Sequence, residues 1–216
     1  MAYDFNEIAE NYDRLNHLMT LGMDRRWRRH AAKAASLSSD SIALDVACGT
    51  GDMIIELEKF GCNTTGIDLS KEMVSIAREK TNSATFQLAD AEHMPFDSAT
   101  FDTVTCAFGI RNFVHLQQGI NEMVRVLKPG GNIIILELST PDCPLIEPFY
   151  NLYTKRVIPW LGQRIAGNKE AYTYLPNSIE RFPKGEAMLS ILKHAGLEAR
   201  QSKFFFGVCR MYKCQK

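Results

Sequence analysis

The sequence predicts an α/β fold, a doubly wound, seven-stranded, mostly parallel sheet with helices on both faces. Three observations carry that expectation. From residue 42 to residue 138, short apolar runs suited to buried strands alternate with segments whose apolar residues recur at helical spacing. The run NIIILEL (132–138) is almost wholly apolar, as a central parallel strand should be. A turn containing Gly49-Thr50-Gly51 joins the first strand of this alternation to its first helix.

Each element has a local reason. Residues 5–35 read as two helices, the second starting near Asp24 and ending in the alanine-rich HAAKAAS. IALDV (42–46) is the first strand, and DMIIELEKF (52–60) is the helix after it. A second strand at 63–67 ends in Asp68, after which Ser70 caps KEMVSIAREK and Glu72 favours the positive helix end. ATFQL (84–88) leads into Asp90-Ala91-Glu92, and DTVTCAF (102–108) into Gly109-Ile110-Arg111-Asn112. The helix at about 115–127 is stopped by Lys128-Pro129-Gly130-Gly131. Residues 139–182, rich in Pro, Tyr and Phe, interrupt the alternation as a helical lid before the helix GEAMLSILKHAG. Strands 198–205 and 207–214, parted by Gly207, close the chain as an antiparallel pair. The chain reads as a single domain over 1–216, with N-terminal helices in 1–38 and the lid or substrate insertion in 139–182.

Composition excludes several classes. Lys plus Arg equals Asp plus Glu at 25 each, so no global field recruits nucleic acid. The basic cluster RRWRR (25–29) reads as a solvated helix face with Trp27 turned inward, rather than as a phosphate site. The segment MAYDFNEIAENYD is acidic and lacks the apolar core of a signal peptide, and no run approaches the ~18 apolar residues of a membrane span. Six cysteines show no C-x-x-C pair and no zinc spacing, so no metal is expected and a reducing cytoplasm is. Cys48 reads as packing.

In such sheets ligands sit beyond the carboxyl ends of the strands. That selects Ala47 to Gly51, Asp68, Asp90 and Ala91, Ala107 to Asn112, and Glu137 to Thr140. Gly49 and Gly51 let the backbone approach a ligand, and Asp68, with Leu69 beside it, is placed to accept two ribose hydroxyls. A dinucleotide fingerprint would need a third glycine where Ile54 stands, and Asp52 lies where the two phosphates would be. Asp45 can instead neutralise a cationic ligand. S-adenosylmethionine, whose amino group and sulfonium are positive, is therefore the expected cofactor. Asp90 would reach the adenine amine, or else serve as a turn acid. Arg111 and Asn112 would face the substrate side of the cofactor, with Arg111 alternatively paired to a nearby acid to fix its loop.

The segments YDRLNHLMTLGMDRRWRR, LDVACGTGD, DAEHMPF, FGIRNF, RVLKPGG and YTYLPNSIERFP resemble, in order and spacing, the UbiE/MenG/COQ5 family of quinone-biosynthesis C-methyltransferases. The resemblance covers nearly the whole chain. It implies a Rossmann-like, class I S-adenosylmethionine-dependent methyltransferase that methylates a ring carbon of a prenylated quinol, here written as demethylmenaquinol going to menaquinol. The benzoquinol of the ubiquinone pathway is the alternative acceptor. Thr50, Asp68 and the pair Asp90-Ala91 carry the family's cofactor positions. Ala107 stands where the family often has Ser, so that hydroxyl is absent.

Carbon methylation needs an electron-rich ring, an aligned methyl and removal of a proton. Arg111 is the expected stabiliser of a phenolate and Asn112 the residue that orients the ring. His17, Tyr172 and Tyr174 are further candidates for proton relay or ring contact. The lid segment 145–162 mixes aromatics with few charges, which suits an isoprenoid tail, peripheral contact with the inner membrane surface, or a homodimer interface. Other small-molecule methyltransferases would share the core without needing FGIRNF. Protein, RNA or DNA amino-methylation would want an Asn/Asp-Pro-Pro-aromatic clamp after the fourth strand. A silent cofactor-binding subunit of a quinone-synthesis assembly is the non-enzyme alternative.

Overall fold

The computed structural model describes residues 9–166 and 169–216. Seven strands form one sheet in the order β3-β2-β1-β4-β5-β7-β6. They are β1 (Ile42–Val46), β2 (Asn63–Asp68), β3 (Thr85–Leu88), β4 (Phe101–Ala107), β5 (Leu127–Leu138), β6 (Glu198–Phe204) and β7 (Cys209–Gln215). The first five run parallel, and β7 lies antiparallel between β5 and β6. Strand order reverses between β1 and β4, which opens a crevice at their carboxyl ends.

The helices are α1 (Ala9–Met19), α2 (Met23–Ala34), α3 (Asp52–Glu58), α4 (Lys71–Lys80), α5 (Leu116–Val126), α6 (Glu147–Leu152), α7 (Ile158–Ala166), α8 (Lys169–Arg181) and α9 (Glu186–His194). A π-helical turn (Tyr153–Val157) links α6 to α7, so the lid is helical as expected. Ser70 caps α4 by accepting the Met73 N–H at 3.1 Å. Two cores sandwich the sheet. On one face Ile120 and Met123 of α5 and Met188 and Leu192 of α9 meet Val104, Ile133 and Tyr212; on the other, Trp27, Ala31 and Ala32 of α2 meet Ile134 and Leu136.

Two expectations need correction. The KPGG segment stops α5 as expected, but the fifth strand, expected over 132–138, already begins at Leu127 and includes it. Leu127 pairs with Phe101, and the register then shifts so that Asn132 pairs with Thr103. Gly130 at φ 77° allows the bend, and a Cβ on Gly131 would stand 2.8 Å from the Asp102 carbonyl oxygen. The RRWRR cluster is not wholly a solvated face. Trp27 is buried as expected, but so is Arg28, because Asp24 one turn earlier takes its guanidinium at 2.6 Å. All six cysteines are free, and burial pushes the Cys48 thiol well above the ordinary range.

Candidate cofactor and acceptor site

The backbone at the strand ends is bent on purpose. Ala47 after β1 and Phe108 after β4 adopt φ 53° and φ 63°, left-handed values that non-glycine residues rarely hold. Gly49 and Gly51 at φ 54° and 85° complete the first turn, and Gly51 starts α3. Gly66 in β2 is required by close approach: a Cβ there would lie 2.6 Å from Ile54 and 3.0 Å from Cys48. These turns expose main chain to a cleft of about 220 Å3.

Asp68 ties the two loops together. Its Oδ2 accepts the Gly49 N–H and its Oδ1 the Ser70 N–H, both at 2.8 Å. Burial raises the carboxyl above its usual range, and these donors oppose the shift. The Leu69 N–H acts on the same carboxylate, and of its roughly four acceptor positions some capacity is left for a further donor. Asp90 lines the same cleft while its Oδ1 accepts the Glu92 N–H at 2.8 Å, a turn-acid role, and its Oδ2 lies 3.7 Å from His93 Nδ1. Asp45 is buried, lines the cleft and accepts the Thr105 hydroxyl at 2.6 Å. Burial pushes its carboxyl up to about 7. Ala47, Gly49, Thr50, Leu69, Ala91 and Ala107 complete the cofactor candidates along the wall, whereas Gly51 stands behind it.

Thr50 is the surprise among them. Its hydroxyl donates to Asp13 of α1 at 2.5 Å and accepts from Lys80 of α4 at 3.0 Å, so its side chain serves the protein. Lys80 also pairs with Asp13, and with Asp52 at 2.8 Å. Burial alone would raise Asp52, but Arg28 and Lys80 hold its carboxyl below the usual range. His17 Nδ1 lies 2.7 Å from Asp24 and its Nε2 3.8 Å from the cleft-lining Asp52, though His17 itself does not line the cleft. His17, Asp24 and Asp52 gather within 4.8 Å, and Arg28 supplies the cation there.

At the ends of β4 and β5, Arg111 is found in the second of its two expected settings, paired with a nearby acid. The Arg111 side chain is buried and its Nη1 pairs with Glu137 Oε1 at 2.8 Å, while it also donates to the Phe108 carbonyl and to Ser178. Glu137 accepts the Arg111 and Leu138 N–H groups as well. Burial pushes the Glu137 carboxyl up, opposed by Arg111; burial works against the Arg111 charge, and Glu137 more than restores it. The guanidinium thus fixes the 108–112 loop and does not line the cleft. Asn112 does line it, and Tyr174 of α8 donates its hydroxyl to Asn112 Oδ1 at 3.1 Å. The Tyr172 side chain lies outside the described residues.

Sequence reasoning overlooked Tyr12 and Arg28, which both line the cleft. Burial raises the Tyr12 phenol, with Arg111 and Arg28 opposing. The Arg28 guanidinium stands 4.9 Å from the Phe108 ring centroid. The Asp24–Arg28 spacing of four residues was the available signal for Arg28. Tyr12 carried the signal of sharing a helical face with Leu15 and Met19.

This cleft fits S-adenosylmethionine on its own terms. Asp68 presents two acceptors for a ribose, the glycine loop leaves room at the main chain, and Asp45 is a buried acid with no cationic side chain bonded to it among the described residues. Fold and site together define a class I, Rossmann-like S-adenosylmethionine-dependent methyltransferase.

Comparison with known proteins agrees. The profile of the ubiE/COQ5 methyltransferase family matches residues 2–216. Demethylmenaquinone methyltransferase of Chlorobaculum tepidum is 45% identical over 199 residues, covering 90% of this chain and 82% of that protein. The protein of the same name from Deinococcus radiodurans is 41% identical, covering 96% and 89%. The ubiquinone/menaquinone biosynthesis C-methyltransferase UbiE of Geobacter sulfurreducens is 40% identical, covering 98% and 86%. Among solved structures, a putative methyltransferase in complex with the Haloferax volcanii Trm112 activator superposes with TM-score 0.72 at 18% identity, covering 100% of this chain and 98% of that one. A Haemonchus contortus phosphoethanolamine N-methyltransferase holding S-adenosylhomocysteine superposes at 0.62 and 16% identity, covering 85% and 50%; both show the fold. The chain belongs to the ubiE/COQ5 methyltransferase family.

Proposed function

We propose that this protein methylates the ring carbon of demethylmenaquinol, giving menaquinol. The observation that carries the reading is the junction at Asn112. There a cleft built for the cofactor meets the Asn112–Tyr174 pair, two neutral hydrogen-bonding groups suited to a quinol hydroxyl. The names of the relatives point to the same acceptor. S-adenosylmethionine supplies an electrophilic methyl group. Net transfer to the ring carbon would replace its hydrogen, which would pass as a proton to solvent. Asp68 binds the ribose, Asp90 and Ala91 border the adenine, and Asp45 faces the cationic end. Asn112 and Tyr174 orient the ring, while Arg111 and Glu137 hold Asn112 in place. Positioning is the main source of acceleration.

The test is labelled-methyl transfer with purified protein and reduced demethylmenaquinone, alongside mass spectrometry of quinones in a strain lacking the gene. Transfer, together with accumulation of the species one methyl short, is expected. Efficient transfer only to the benzoquinol precursor would move the assignment to the ubiquinone pathway.

Asp45 makes cofactor affinity depend on pH. Burial pushes its carboxyl up to about 7, and a bound cation favours the ionised form. Binding therefore releases a proton below pH 7. S-adenosylmethionine affinity should fall by ~10-fold per pH unit below 7 and level off above it. Calorimetry in buffers of differing ionisation enthalpy reads the proton directly, and a flat profile from pH 5.5 to 8 would remove Asp45 from the cationic end.

No helix among the described residues is long and apolar enough to cross a membrane. Leu145, Phe149 and Trp160 of the lid are nevertheless exposed, and a prenylated substrate resides in a bilayer. We place these residues at that surface. Co-flotation with anionic liposomes, lost on Phe149→Ser with Trp160→Ser, is expected; no flotation of the wild type would refute the contact.

A further inference from the structure

Lid and N-terminal helices enclose a second cavity of about 380 Å3. Met19, Trp27, Ile158, Pro176 and Ile179 form much of its wall, and none of the described residues lining it is charged. Its polar side chains are already engaged. The single Thr20 hydroxyl proton is shared between the Asn16 carbonyl at 2.8 Å and Asp24 at 2.7 Å. Tyr150 donates to the Ser139 carbonyl at 3.1 Å, Tyr153 to that of Met19 at 3.1 Å, and Thr154 to that of Tyr150 at 2.8 Å. The Asn16 side chain bonds Tyr12. A polar ligand would lose its hydration there for little return, whereas a hydrocarbon gains by leaving water.

Location narrows the occupant. Trp27, in the cavity wall, packs against Phe108 of the cofactor cleft with ring centroids 6.4 Å apart. Helix α8 serves both spaces: Tyr174 and Ser178 bond Asn112 and Arg111, while Leu175, Pro176 and Ile179 line the cavity. The cavity therefore adjoins the acceptor end of the cleft. Three residues of its lining, Leu21, Phe149 and Phe205, are 76%, 73% and 54% exposed, so the cavity reaches the surface beside them.

We propose that this cavity binds the first isoprene units of the acceptor's tail, with the rest of a longer tail leaving between Leu21, Phe149 and Phe205. The identity of the tail, and so its branching, rests on the quinol reading above; the ligand class, a hydrocarbon, stands on the cavity itself. Each buried carbon adds to affinity.

The test uses farnesol, three isoprene units without a ring. In wild-type protein farnesol should displace the fluorescent apolar probe N-phenyl-1-naphthylamine. Met23→Trp and Val208→Phe, which put bulk into the cavity from two sides, should each weaken farnesol binding by ~10-fold or more. S-adenosylhomocysteine affinity, measured in parallel, reports that the variants are folded. With substrate, the same variants should raise KM for the prenylated quinol by ~10-fold or more without raising it for a tail-less naphthoquinol. Failure of farnesol to displace the probe from wild type, or equal binding by the folded variants, would overturn the proposal. Farnesol binding without methyl transfer to demethylmenaquinol would instead overturn the quinol reading and leave a hydrocarbon site.

Discussion

Glu137→Ala should lower the stability of the folded protein by about 3–5 kcal/mol, the range for removing one member of a buried ion pair. The Arg111 and Glu137 side chains are only 5% and 1% exposed, so the guanidinium left behind can neither reach water nor lose its proton. Glu137 also takes the N–H groups of Arg111 and Leu138, and removing it orphans both. Urea denaturation followed by circular dichroism measures the loss. Replacing both members, Arg111→Met with Glu137→Leu, should recover much of it, because two apolar groups leave no stranded charge. The double variant should still turn over poorly, since Asn112 then lacks the anchored loop beside it. A single variant within 1 kcal/mol of wild type would show that Arg111 finds another partner, and its role at the acceptor would need to be reopened.

The second large effect concerns the cofactor. Asp68→Ala should weaken S-adenosylhomocysteine binding by ~100-fold or more. Two hydrogen bonds to a charged acceptor are worth roughly 1.5–3 kcal/mol each, and every 1.4 kcal/mol is tenfold in Kd. The substitution also frees the Gly49 and Ser70 N–H groups that now converge on the carboxylate, so the two loops lose their common tie. Asp68→Asn, which keeps one acceptor oxygen, should fall between. Calorimetric titration checks this, with melting of the free protein as the control for folding. A change of less than threefold for the alanine variant would mean that the ribose is bound elsewhere.

Legibility differed by element for physical reasons. Strand β1 and the start of α3 lie where expected, because a buried parallel strand and a glycine turn each impose local composition. The start of β5 was less visible, since Pro-Gly-Gly reads as a stop locally and its pairing with Phe101 is made by a distant strand. The same distinction runs through the site. Asp68 and Asp90 were legible because strand ends mark the ligand side of such a sheet. Tyr12 and Arg28 were not, as they come from helices outside the strand–helix alternation and reach the cleft only when α1 and α2 pack on it.

The sequence by itself determined the sheet class, the placement of the glycine turn and its acids, and the choice of a cationic nucleoside cofactor over a dinucleotide. These follow from period, glycine freedom and charge, all properties of short segments. Only the tertiary structure shows which group Arg111 pairs with. Its type and position suit a phenolate or a carboxylate equally, and the outcome hangs on Glu137, 26 residues away, being buried beside it. Partners of a buried charge are chosen by packing across the sheet, so no reading along the chain could have selected between them.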